Sequence, residues 1–203
     1  MATHPDRVKP RTPTKPAASV STLIEVLHAE SPDAERERQL TLYSFLVGRW
    51  DLDITTLLED GSRHRGQGEI HAGWILQGRA IQDVWMIPRL CDRKPGIDPL
   101  PGAGNWYGTT LRIYDPNIDA WRILWNDPAN NFFTQQIGRA QGRDIVQEGA
   151  DPRGGYMRWM FSEIQQESFH WTAECSKDKN NWSKEVDIRA WRIPAKTMPR
   201  QEN

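Results

Sequence analysis

Cysteine, long apolar runs and charge of one sign are what this 203-residue sequence has least of. Its two cysteines, Cys91 and Cys175, lie far apart and outside any C-x-x-C spacing, which argues against a cysteine-built metal site and reads as reduced thiols. No apolar run approaches the roughly 18 residues that a helix needs to cross a bilayer. With 26 basic and 27 acidic side chains the formal net charge is −1, and the basic residues are spread out, so neither nucleic acid nor a membrane is expected as a partner. The glycines of "PGAGNWYG" precede no helix signal and make no phosphate loop. The opening "MATHPDRVKPRTPTKPAASV" lacks the apolar core of a signal peptide; its prolines and basic residues predict a disordered tail over 1–20 on a cytoplasmic protein. Residues 195–203 read as a second such tail.

What the chain does have is tryptophan, ten of them. Each brings a large apolar area and one N–H that wants a partner, which suits a core closed by big rings or a cavity lined by them. Residues 21–44 carry helix signals. Ser21 or Thr22 can cap a first helix with Leu23, Val26 and Leu27 on one face, and Ser31-Pro32 can start a second that runs toward Phe45. After Gly48 the period changes to two. Strands are predicted over 49–58, 66–76, 79–87, 105–114, 120–126, 131–138, 143–148, 155–164, 168–175 and 182–193, joined by short turns such as "EDGS", "LQGR" and "DPRGG". Short joints make consecutive strands antiparallel neighbours, and about ten of them with no helix between predict an all-β, up-and-down barrel over 45–194. The one long connection, 88–104, reads as a lid or a disordered insertion.

Within that pattern "FLVGRW" takes on further meaning. A helical lead-in followed by Gly-x-Trp on the first strand resembles the calycin superfamily, and most of all the bacterial lipocalin-like proteins of unassigned function. "LQGRAIQDVWMIP", "GNWYGTTLRIYDP", "DAWRILWNDP", "DIVQEG" and "VDIRAWRI" carry the rest of the likeness, over roughly Leu42 to Ile193. The resemblance implies that Gly48 and Trp50 belong to the closed end of the barrel, with Arg189 or Arg192 from the last strand across the indole. Some calycin barrels bind haem through one strand histidine, which makes His170 or His71 the candidates for that cofactor; no other cofactor and no metal is expected.

Alternation sets Arg79, Ile81, Asp83, Trp85 and Ile87 on one face and Ala80, Gln82, Val84 and Met86 on the other, so a polar group enters the barrel either way. An inward Asp83 must be paired, hydrogen-bonded or protonated. It is either a strand-to-strand tie with an Arg or Tyr, or an acid/base. Trp121, Ile123 and Trp125 oppose Arg122, Leu124 and Asn126; Met157, Trp159 and Phe161 oppose Tyr156, Arg158 and Met160. Aromatic faces inward make a cavity for an apolar or flat aromatic molecule, and the larger burial term favours this. Arginine faces inward make one for an acidic molecule. The candidate ligand contacts are Gln82, Trp85, Asn105, Tyr107, Arg122, Trp125, Asn126, Arg158, Trp159 and Trp171, and the candidate catalytic groups are Asp83 and Tyr107. Three functions compete: a barrel that binds a small molecule, an enzyme acting in the same cavity, and a filled barrel that dimerises through an exposed aromatic face.

Overall fold

The computed structural model describes residues 20–93 and 105–194, with side chains from Thr22 onward. The expected tails and most of the long connection lie outside the described residues. Among the described residues are eleven strands, the first lying within the N-terminal helical region and the others after it: β1 (His28–Ala29), β2 (Gly48–Leu57), β3 (Arg63–Ile75), β4 (Ala80–Ile87), β5 (Trp106–Asp115), β6 (Ala120–Asp127), β7 (Phe132–Gln141), β8 (Asp144–Ala150), β9 (Tyr156–Ser162), β10 (Ser168–Ser176) and β11 (Ser183–Ile193). From β2 to β11 each strand pairs antiparallel with the next, and β11 returns to β2 through Val186 opposite Thr56 to Ile193 opposite Arg49. Ten strands therefore close into an up-and-down barrel, as the turn spacing predicts. The short β1 is an addition: it extends the β3 edge, His28 facing Ile75 and Ala29 facing Trp74.

The N-terminal region departs from the helix signals. Helix α1 spans Val20–Leu27, so Ser21 and Thr22 are inside it rather than capping it, and Leu23 and Val26 are exposed. Ser31-Pro32 starts no helix. Asp33 instead donates its backbone N–H to Gly78 O in the β3–β4 turn and accepts from Arg79, and that tertiary anchor overrides the local propensity. Helix α2 is one turn (Glu37–Leu40), continued as a 3-10 helix over Thr41–Leu46 that pushes Tyr43 and Leu46 into the end of the barrel.

That end is closed by aromatic rings. Trp50 is fully buried, gives its indole N–H to Leu46 O at 2.8 Å, and meets Phe169 edge-on at 4.7 Å between centroids. Arg192 lies over it, the guanidinium carbon 4.1 Å from the ring centre, and donates to the carbonyls of Phe45, Val47 and Gln166. Arg189 is on the opposite face of β11 and pairs with Glu163 outside the barrel. Gly48 makes the crossing possible. Its φ is +125°, and a Cβ there would stand 2.6 Å from Arg192 Nη1.

Candidate functional site

Above this plug the barrel holds a cavity of about 680 Å³, opening among the end of β2, the β6–β7 and β8–β9 turns and the start of β11. Its volume lies within the range of small-molecule sites. Five tryptophans from five strands line it: Trp85 on β4, Trp106 on β5, Trp125 on β6, Trp159 on β9 and Trp171 on β10. Their centroids form a closed circuit. Trp85 and Trp171 are 5.3 Å apart, Trp171 and Trp159 5.6 Å, Trp159 and Trp125 6.1 Å, Trp125 and Trp106 6.3 Å, and Trp106 and Trp85 6.4 Å. A sixth contact, Trp106 to Trp171 at 6.1 Å, crosses the circuit, so the rings form one packed cluster; all six contacts are tilted or edge-to-face, which the ring quadrupole favours. Gly108 makes room for one of them, because a Cβ there would stand 2.6 Å from the Trp125 ring.

Beneath the belt the wall turns polar. Arg112 lines the cavity with only 1% of its surface exposed. Its Nη1 donates to Asp83 Oδ2, and the other Asp83 oxygen accepts the Thr110 backbone N–H. The guanidinium lies 5.3 Å from the Tyr43 ring centre and 5.9 Å from that of Phe161, so it rests on the aromatic plug. Tyr43 in turn donates its hydroxyl to Gln147 Oε1. Burial pushes the Tyr43 phenol well above its ordinary pKa, Arg112 offsetting this only in part, and so keeps it a neutral donor.

Charged groups gather at the mouth. Glu59, Asp127, Arg153 and Glu185 line it. Arg153 bridges Asp151 and Glu185, and those hydrogen bonds hold its pKa above the usual arginine value against the cost of burial. Asp127 caps the β6–β7 turn through Ala129 and Asn130, and the Asn130 amide reaches on to Asn105 O.

The aromatic faces point inward, as the burial term favours. Trp85, Trp125, Trp159 and Trp171 are in the cavity wall. The other expected contacts are not, because the strand period sends them outward. Gln82 bonds Thr109 on the outer surface, Arg122 pairs with Asp115, and Arg158 pairs with Glu174 beneath Trp182. Asn126 lines an outer groove beside Phe133. Tyr107 is 46% exposed with Arg93 over its ring; its neighbour Trp106 turns inward in its place. Asn105 is buried as an anchor for Arg93 and Asn130, outside the cavity wall. Asp83 enters the barrel but sits behind Arg112 rather than in the wall, so neither candidate catalytic group reaches the cavity.

Both haem candidates face away from the cavity as well. His170 bonds Asp187 and Ser162, and His71 bonds Glu69, on faces opposite Trp171 and Ile70. Among the described residues there is no cluster of metal-ligating side chains. No helix among them is long and apolar enough to cross a membrane. Sequence reasoning missed Arg112 and left Trp106 out of the wall. The signal for both was alternation within "WYGTTLRIYD", which puts Trp106, Gly108, Thr110 and Arg112 on one face.

No family model matches the chain, and no curated protein matches it. Solved structures do. The crystal structure of Rv2717c from M. tuberculosis superposes with a TM-score of 0.52 at 11% identity, covering 77% of this chain and 98% of that one. The S-type phycobiliprotein lyase CPES from Guillardia theta superposes with a TM-score of 0.51 at 9% identity, covering 81% of this chain and all of the other, 100%. At such identities the likeness is one of fold alone, that of the closed antiparallel barrel.

Proposed function

We propose that the protein binds a small, mostly apolar or aromatic molecule in its cavity. The observation that carries this is a cavity of about 680 Å³ with a cluster of five mutually packed indoles in its wall. Leaving a space of that size beside so much buried aromatic surface gives up packing that a merely structural core would take. The space therefore has a use that repays the lost contacts. A filled barrel that serves only to dimerise has no need of it. Asp83 acting as an acid or base would need a path to the substrate, and Arg112 stands between.

The test is titration with the uncharged fluorophore N-phenyl-1-naphthylamine, excited through the indoles. Saturable one-to-one binding with energy transfer from tryptophan is expected. Ala173, in the wall on β10, offers the control: Ala173→Phe fills the space and should abolish binding while the protein stays folded. Failure of the wild type to bind, or unchanged binding by a folded Ala173→Phe protein, would defeat the reading.

A further inference from the structure

We infer that the cavity takes an amphiphilic cation, a flat or apolar body carrying an ammonium-type group at its outer end; this rests on the cavity reading above and adds the charge of the occupant. Both arginines in the wall are already matched. Arg112 pairs with Asp83 at the buried end, and Arg153 is shared by Asp151 and Glu185 at the mouth. The carboxylates of the wall are not matched in turn. Glu59, exposed in the β2–β3 turn, and Asp127 pair with no basic side chain among the described residues, and Glu185 has only its share of Arg153. Asp127 accepts N–H bonds from Ala129 and Asn130, which orient its carboxylate and add no positive charge.

The cavity is the site, and these groups decide what charge enters it. Carboxylates in excess around an opening with apolar walls make the field there negative. An anion is opposed on entry and finds no free cation inside. A neutral molecule is indifferent to the field. A cation gains at the mouth, where Trp106 opens β5 and Phe132 opens β7, both in the wall and only half-buried. Aromatic surface beside carboxylates suits an ammonium group. Held there, close to solvent, the charge escapes the desolvation that the buried end would impose. The apolar body then lies deeper, among Trp85, Trp125, Trp159 and Trp171.

Three probes of one outline separate the cases: 1-naphthylmethylammonium, 1-naphthylmethanol and 1-naphthoate, titrated by calorimetry at low and high salt. At low salt the ammonium should bind at least about tenfold more tightly than the alcohol, the naphthoate should bind most weakly, and high salt should shrink the preference. Glu59→Lys should remove most of the ammonium's advantage and Glu59→Gln part of it, while the alcohol keeps its affinity. Ala173→Phe, which fills the space, should abolish ammonium binding in the folded protein. If the alcohol binds as tightly as the ammonium, or the naphthoate more tightly, the inference is overturned and the cavity reading stands. A preference untouched by Glu59→Lys and by salt overturns it too, as does ammonium binding that survives in folded Ala173→Phe, because the charge is then recognised elsewhere. If none of the three binds, the inference falls, and the N-phenyl-1-naphthylamine titration decides the cavity reading separately.

Discussion

Replacing Asp83 by asparagine leaves the shape of the barrel interior almost unchanged and removes one charge. The Thr110 N–H keeps an acceptor, since the Asn carbonyl can take its place, but the Arg112 guanidinium loses the one carboxylate it pairs with among the described residues, at a site 1% exposed. Breaking a buried pair from one side costs about 3–5 kcal/mol, because the remaining charge stays desolvated. For a domain of this size each kcal/mol moves the melting point by roughly 2–4 °C, so Asp83→Asn should melt about 6–20 °C lower. The double variant Asp83→Leu/Arg112→Met removes both charges with similar volume and should recover to within about 2 kcal/mol of wild type. Urea unfolding followed by tryptophan emission measures all three proteins, provided the slopes agree. An Asp83→Asn cost below about 1 kcal/mol, or a double variant no more stable than Asp83→Asn, would refute a tightly coupled buried pair.

Other consequences are open to the same assay. Arg192→Gln gives up the cation–π contact and hydrogen bonds to three carbonyls, at about 2–4 kcal/mol, whereas Arg189→Gln removes an exposed pair and should stay within about 1 kcal/mol. Trp50→Ala should lose about 3–5 kcal/mol yet still bind N-phenyl-1-naphthylamine while folded, since the plug is outside the cavity wall. Gly108→Ala drives a methyl into the Trp125 ring, which should cost about 1–3 kcal/mol and weaken probe binding several-fold. The Glu69 carboxyl is held below its ordinary pKa: burial works to raise it, but the Leu90 N–H and His71 outweigh that. Its contribution to stability is therefore complete above its unfolded value and is lost as pH falls through the lower folded one, so wild type and Glu69→Gln should converge in melting point on acidification.

The strand pattern was legible because alternation and turn chemistry are local. "EDGS" and "DPRGG" mark where the chain reverses, and runs such as "DAWRILWND" show which residues share a face. Which face points inward is a question about the whole sheet, and burial of Trp121 and Trp125 answers it better than any local rule. Polar residues broke the pattern. Tyr107 reads as a ligand contact and catalytic candidate, but its register gives the inward place to Trp106. Arg112 went unnoticed because an arginine on a strand reads as surface until its partner is known, and that partner, Asp83, comes from the neighbouring strand. Residues 31–36 failed for a similar reason, since their structure is set by the β3–β4 turn rather than by their own signals.

Arg192 is bonded to Val47 across 145 residues, and β2 has no second neighbour until β11 arrives. A ribosome adding about 5–20 residues per second needs roughly 7–30 s to cover that distance. Through that interval the nascent sheet keeps two open edges and Trp50 has no cover from the last strand, the conditions under which strands pair with the wrong chain. Final closure thus waits for β11 to be made, and shortening β11 should hurt yield in the cell more than its share of the buried surface implies.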